Sequence, residues 1–393
     1  MESIAIIGTG IAGMGCGHFL HPHYQLEFYE QNTHIGGHTN TVYVEEGERQ
    51  VPVDTGFIVF NKITYPNLVR LFERINVDIK PTDMSFGVQY LPTGLEYSSK
   101  KLFAQPLNYL NPRFVRMLLQ ISRFHRESEG LLRDDRYSGQ PLKEYVKEKN
   151  YSEDFLYQYL VPMTSALWST PTDITLQYPV RVLVQFFKNH GLLGTDTQFQ
   201  WYTVSNGSWQ YRDKLIAPFR DRIRTNCAAV RVAREHEKVK ITGSDGTERE
   251  FDKVIFACHA DQALRILADP TDQEQTLLAP FQYQKNIATL HSDDALMPKT
   301  RATWSAWNYR VEEIRGELTA TTIYDMNCLQ QVSDKTNYFV SINDPGRINP
   351  AKVIRAIAYE HPIFTTRTAD VQGDLSLLNT HGHRGSRIIR HTT

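Results

Sequence analysis

The sequence predicts an α/β protein in two parts: a nucleotide-binding part on a parallel sheet, assembled from separated pieces of chain, and an α+β part set between those pieces. Three observations predict it. The first thirty residues read strand, glycine turn, helix, strand, acid. Residues 228–267 read as an antiparallel hairpin, a buried return strand and a helix. The long stretch between them is mostly helical and rich in aromatics.

In the first unit, Ile4-Ala-Ile-Ile7 runs into Gly8-Thr-Gly10-Ile-Ala-Gly13, and Leu26-Glu-Phe-Tyr-Glu30 closes the second strand. Gly8 permits a tight turn off the strand, Gly10 lets backbone approach a pyrophosphate, and Gly13 lets the helix pack close to the sheet. The phosphates then sit on the helix N-terminus around Ile11 and Ala12, where unpaired N–H groups and the dipole favour anions. Glu30 has roughly the ~20-residue spacing of an acid that hydrogen-bonds a ribose hydroxyl, with Gln31 beside it. An accidental glycine-rich turn would not explain the flanking strand, helix and acid together.

A second glycine loop follows, Gln31-Asn-Thr-His-Ile-Gly36-Gly37-His38-Thr39-Asn-Thr41, and leads into β-rich sequence ending in Val53-Asp-Thr55-Gly56-Phe57-Ile-Val-Phe60. A domain that binds nicotinamide alone would go straight to another helix. Here glycines and threonine offer backbone donors to a second phosphate or a flavin ring, so the nucleotide lies along an extended trench and FAD is expected rather than NAD. A plain β-hairpin with glycine turns is the simpler reading of this loop by itself.

Residues 66–75 and 112–121 have helical apolar spacing, and each begins with proline at a first helical position. Basic residues interleave with apolar ones between Lys100 and Arg126. That pattern more often marks a core helix with a solvated charged face; a membrane-surface or acyl-chain-facing helix is the alternative. After Val204-Ser-Asn-Gly207-Ser-Trp-Gln-Tyr211 comes a helix to about Arg222, then strands at 228–233 and 238–242, an Asp245-Gly246 turn, a strand at 253–257 and a helix at 260–267. The stretch 283–345 is β-rich, and its Trp304, Trp307 and Tyr324 form either a wall over a flat ring or plain core. The expected division is 1–61, 204–282 and 346–393 for the nucleotide part, and 62–203 and 283–345 for the substrate part.

A net charge of −1 supplies no field to gather polyanions, so nucleic acid is excluded as a partner. The four cysteines match no metal-ligand spacing; they are expected reduced, the site metal-free and the protein cytoplasmic. No apolar run approaches ~18 residues, so no integral membrane segment is expected, which leaves peripheral membrane contact open. The expected partner is a small-molecule or lipid substrate, and no oligomeric state is assigned. Nothing resembles a Ser-His-Asp set. His38, His190, His259, His291 and Lys285 are weak candidates for a base or a flavin neighbour, Asp173 and Glu153 form no dyad, and no catalytic residue is assigned.

Taken together, Ile7-Gly-Thr-Gly-Ile-Ala-Gly13, Gly36-Gly-His-Thr-Asn-Thr41, Val53-Asp-Thr-Gly-Phe-Ile-Val-Phe-Asn61, Ala166-Leu-Trp-Ser169, the run from Trp304 to Tyr309, and Tyr324-Asp-Met-Asn327 resemble the flavin-containing amine oxidase superfamily. The likeness is nearest to its bacterial branch of NAD/FAD-binding oxidoreductases. The resemblance implies a glutathione-reductase-type, Rossmann-like FAD domain. It also implies that Gly8, Gly10 and Gly13 hold the pyrophosphate and Glu30 the adenosine ribose. Gly37, His38 and Thr39 then line the phosphate and ribityl run, Thr55, Gly56 and Phe57 face the flavin, and the Val230 backbone lies against the adenine. The implied reaction takes a hydride equivalent from a hydrophobic substrate, a fatty-acyl or lipid chain being favoured. A flavin amine oxidase is the enzymatic alternative, and a non-catalytic binding protein on the same fold the alternative of another class. One departure stands out: the family closes its flavin site with a further strand, a glycine turn and a final helix. The tail from Gly382 to Thr393 reads instead like an altered frame or a truncation, so weakened flavin binding is expected.

Overall fold

The structure, a computed structural model, describes residues 1–168, 172–194, 199–363, 365–380 and 386–388, with the backbone alone for 166–168, 366, 380 and 386–388. Ser169 of the quoted motifs and most of the C-terminal tail lie outside the described residues.

A five-stranded parallel sheet runs in the order Ile223–Arg224, Gln25–Tyr29, Ser3–Ile7, Lys253–Phe256, Ser386–Ile388. Side chains alternate across it, as period-2 geometry requires. Ile4, Ile6 and Phe28 pack with Met14, Leu215 and Phe219 on one face, and Ala5, Ile7 and Tyr29 pack with Val232, Ile241 and Phe256 on the other. The antiparallel excursion forms a three-stranded sheet of Ala229–Glu235, Lys238–Gly243 and Glu248–Phe251. Within the C-terminal tail, Ser386–Ile388 supplies a fifth strand in register with Val254, Ile255 and Phe256. Three residues between glycine and basic neighbours carry too little apolar pattern to be read as a strand, and the exposed edge of Lys253–Phe256 recruits them.

A seven-stranded mixed sheet faces it, in the order Val353–Ile363, Gln282–His291, Phe339–Ile342, Glu317–Asp325, Trp307–Ile314, Phe86–Tyr90, Leu95–Ser98. Val353–Ile363, grouped by sequence with the nucleotide part, pairs instead with Gln282–His291 along its whole length. As an edge strand it tolerates Pro362, which has no N–H to give. The helical layer is built on Pro112–Arg133, longer than the sequence pattern indicated. Its N-terminus is capped by the Asn111 side chain, which accepts from the N–H of Arg113 and Phe114, and Phe114, Met117, Phe124 and Leu131 form its buried stripe.

One buried carboxylate ties the hairpin Thr41–Asp54 to two helices, Trp209–Ile216 and Met326–Gln330. Asp54 accepts hydrogen bonds from Thr41 Oγ1 at 2.6 Å, Ser208 N at 2.9 Å, Ser208 Oγ at 2.7 Å and Gln330 Nε2 at 2.6 Å. Burial pushes its carboxyl above the ordinary range, and these bonds oppose that shift. His291, a candidate base by sequence, lies inside the mixed sheet and away from the trench described below. Its Nδ1 accepts from Asp293 N at 3.1 Å, which places its proton on Nε2, the donor to Ser341 Oγ at 2.7 Å.

Asp54→Ala strands several buried donors and should cost about 2–4 kcal/mol of stability, read as a fall in the thermal unfolding midpoint. Asp54→Asn, which keeps one acceptor, should lose less. Burial pushes His291 down to about 4, so the folded state favours the neutral ring. Its stabilisation is complete above the unfolded value near ~6.5 and is lost as the pH falls toward 4. His291→Gln should flatten the decline of the unfolding midpoint in that window.

Candidate functional site

The three glycines of the first turn do three different physical jobs. Gly8 has φ +99°, and a Cβ there would meet Ala257 O at 2.6 Å. A Cβ on Gly13 would stand 2.0 Å from Gly8 O, so only glycine lets the helix Ile11–Leu20 lie against the turn. At Gly10 a Cβ would meet nothing within 4 Å: it opens into a trench of about 3130 Å³. The helix that begins there has no acid in its first turn and no side-chain cap, which leaves its leading N–H groups turned toward the trench for an anion.

Glu30 is 6% exposed and braces this turn. One carboxylate oxygen accepts from Thr9 N at 3.1 Å and Thr9 Oγ1 at 2.5 Å, and the other from Asn32 N at 2.9 Å and Asn32 Nδ2 at 3.1 Å. These four bonds match the carboxylate's roughly four lone-pair sites, so a ribose hydroxyl reaching it from the trench would share or displace one of them. Thr9 Oγ1 in turn accepts from Gly36 N at 3.4 Å, which docks the second glycine loop on the first. A Cβ on Gly37, whose φ is +59°, would stand 3.2 Å from Gly10 Cα. Thr55-Gly56-Phe57 then lies along His38–Asn40: Phe57 N donates to His38 O at 2.7 Å and Thr55 N to Asn40 O at 3.0 Å, and a Cβ on Gly56 would be 2.3 Å from His38 O.

Of the residues singled out by sequence, Gly8, Gly10, Ile11, Ala12, Glu30, Gln31, Gly36, Gly37, His38, Thr39, Gly56, Phe57 and Val230 line the trench. Gly13 and Thr55 stand behind its wall. Thr55 does not face the trench as expected; it is buried, its hydroxyl 2.8 Å from Tyr359 Oη, with Asn40 O accepting at 3.1 Å. His190 and His259 reach the wall with Lys285, whereas Asp173 and Glu153 do not. Trp307 and Tyr324 line it as an edge-to-face pair with centroids 4.9 Å apart. Trp304 is core: it packs edge-on against Phe339 and donates its indole N–H to Pro298 O.

Sequence reading missed a cluster on Val353–Ile363. His38 stacks on Tyr359 and on His361, with centroids 4.9 and 5.2 Å away. Asn286 Nδ2 lies 2.9 Å from His361 Nδ1, and His259 stacks on Tyr283 while its Nδ1 approaches Glu360 at 3.4 Å. Burial, aided by His259, pushes His361 down to about 4. Burial also lowers His259, against the pull of Glu360, and raises Tyr359 to about 12. The alternation of aromatic and polar residues in Tyr359-Glu-His361 was the available signal.

Beyond the glycine turns the trench continues between the helices Pro66–Arg74 and Val180–Asn189, over Met84, Phe86, Met163, Phe186 and Trp201. Its carboxylates among the described residues, Glu30, Asp261, Glu360 and Asp370, all lie outside this stretch, which carries Arg70, Arg74 and Arg181 instead.

A paired-glycine cradle on a parallel sheet, opening into an apolar chamber, defines a flavin oxidoreductase. The sequence model of the flavin-containing amine oxidoreductases matches residues 18–294, and the chain belongs to that family. No curated protein matches it by sequence. Among solved structures it is similar to the CLA-producing fatty acid isomerase from P. acnes, with TM-score 0.65, 14% identity, and 99% of this chain and 93% of that one covered. It is also similar to cyclohexylamine oxidase from Brevibacterium oxydans, with TM-score 0.67, 15% identity, and 94% and 90% covered. A third similar structure is the putative protoporphyrinogen oxidase from Exiguobacterium sp., with TM-score 0.62, 13% identity, and 98% and 93% covered. At these identities the likenesses establish the fold.

The glycine geometry separates folding from binding. Gly10→Val should fold with a near-native unfolding midpoint and yet lose flavin, because its side chain fills the space opened to the pyrophosphate. Gly13→Val should fail to fold. Circular dichroism melts beside flavin fluorescence titration distinguish the two, and equal folding defects would contradict the assignment.

Proposed function

We propose that the protein is an FAD-dependent oxidoreductase that takes a hydride equivalent from a hydrophobic substrate with an anionic head, a fatty-acyl or lipid chain. The observation that carries this reading is the make-up of the far end of the trench. Met84, Phe86, Met163 and Phe186 give it an apolar floor, and its charged lining residues there are arginines, of which Arg181 pairs with Asp135 from outside the lining and Arg70 and Arg74 have no carboxylate partner among the described residues. A protonated amine would meet like charge in that stretch, whereas a carboxylate or phosphate head would be drawn to it.

The extended nucleotide suits the volume, which exceeds the ~300–1,000 Å³ of ordinary small-molecule pockets. The turn Gly8–Ala12 would receive the pyrophosphate, Glu30 a ribose hydroxyl, Gly37–Thr39 the ribityl run, and Gly56 and Phe57 the ring, with Val230 at the adenine end. A bound flavin would supply the acceptor for the hydride equivalent. The chain's own task is to align the substrate and exclude water, which the apolar floor and the Trp307–Tyr324 pair perform. His259, beside Glu360, is the trench group placed to take up a proton, while His361 stays neutral at ordinary pH. The four cysteines are unpaired, which suits a reducing cytoplasm.

An amine substrate is the second reading, favoured by the Trp307–Tyr324 pair, whose faces can hold a cation. Denaturing the purified protein should release FAD. Anaerobic mixing with long-chain fatty-acyl compounds should then bleach the flavin's visible absorbance, and mixing with cyclohexylamine or putrescine should not. Bleaching by amines alone would overturn the substrate class, and release of a nicotinamide nucleotide without flavin would overturn the cofactor.

A further inference from the structure

The helical layer ends in an apolar surface that the trench does not account for. Six of the large apolar side chains exposed among the described residues fall within 102–119: Leu102, Leu107, Tyr109, Leu110, Val115 and Leu119. Leu110 and Leu107 are 82% and 78% exposed. The concentration is built into the structure. Pro106–Leu110 is a 3₁₀ turn anchored from beneath by buried Asn108, whose Nδ2 donates to Gln105 Oε1 at 3.2 Å. Phe103 stacks on Tyr109 at 4.0 Å and packs edge-on against Phe114 at 5.8 Å. Val115 and Leu119, one helical turn apart, continue the same outward face.

The chain segment that carries this surface has charge of one sign. From Ser99 to Arg126 the chain holds six Lys and Arg and no Asp or Glu, in a protein whose net charge is −1. Lys100 is paired with Asp83, Arg113 with Asp154 and Arg123 with Glu127, while Lys101 and Arg116 have no carboxylate partner among the described residues. Exposed apolar side chains flanked in sequence by the unpaired cations Lys101 and Arg116 match the boundary of a bilayer, where leucines enter the acyl region and cations meet anionic headgroups. The surface also adjoins the substrate end of the trench, since Ser99 N donates to the carbonyl of trench-lining Phe86 at 2.7 Å.

We propose that the surface formed by Leu107, Tyr109, Leu110, Val115 and Leu119, flanked by Lys101 and Arg116, docks the protein on an anionic lipid bilayer. It is a peripheral contact: no helix among the described residues is long and apolar enough to span one. The proposal rests on observations separate from those that carry the substrate reading, and its test needs no turnover.

The full-length protein is sedimented with vesicles of phosphatidylcholine alone and with vesicles containing phosphatidylserine, at about 0.1 M salt. Wild type should bind the anionic vesicles more tightly. Lys101→Gln/Arg116→Gln should bind them roughly 30-fold more weakly, at about fivefold per lost cation, and leave binding to neutral vesicles unchanged. Leu107→Ser/Leu110→Ser should weaken binding to both by about 30-fold or more. Both double variants change exposed positions and should keep the wild-type unfolding midpoint. The proposal is overturned if wild type stays in the supernatant with both vesicle types, or if the leucine variant binds as wild type does. It is also overturned if light scattering shows a wild-type dimer that the leucine variant splits, since the surface would then join two copies of the chain.

Discussion

Asp54 is the constraint on which the rest of the site depends. Its carboxylate gathers Thr41 from the first hairpin, the backbone and hydroxyl of Ser208 ahead of the helix Trp209–Ile216, and Gln330 at the end of Met326–Gln330. Asp54 N also donates to Gln330 Oε1 at 2.9 Å, so the contact with Gln330 runs both ways. A lone buried carboxylate would cost several kcal/mol, and it persists here because its acceptor sites are filled. Thr55-Gly56-Phe57 follows directly in the chain, so the anchor that joins a hairpin to two helices also sets the register of the trench wall.

The same economy governs the nucleotide end. Glu30 is read from spacing as a ribose ligand, yet in the structure it first organises protein: Thr9 and Asn32 converge on it, and Thr9 then carries Gly36. The two glycine turns therefore touch before any ligand arrives, an arrangement that lowers the ordering cost of binding an extended nucleotide. The charged lining of the trench changes along its length: its four carboxylates among the described residues lie outside the stretch between Pro66–Arg74 and Val180–Asn189, which carries Arg70, Arg74 and Arg181.

Likenesses at 13–15% identity that extend over more than nine-tenths of the chain fit this picture. In this chain the backbone approaches that leave little or no room for a side chain include Gly13 to Gly8, Gly37 to Gly10, and Gly56 to His38. Packing elsewhere tolerates substitution if volume and pattern are kept. The substrate chamber is free to vary within those limits, which is why the fold sets the reaction class and the chamber lining must carry the argument for substrate.

The sequence by itself determined the features that depend on local backbone requirements. The order of strand, glycines, helix and acid located the first glycine turn and Glu30, the Asp245-Gly246 turn located the antiparallel excursion, and prolines at first helical positions located Pro66–Arg74 and Pro112–Arg133. Tertiary structure alone decided which strands became neighbours. Val353–Ile363 joined Gln282–His291, Ser386–Ile388 extended the parallel sheet, Thr55 turned behind the wall, and Tyr359 and His361 came to stack on His38. The reason is physical: alternation along a strand tells which residues share a face, but the identity of the partner strand is a long-range choice made by packing and by the hydrogen bonds left open at sheet edges.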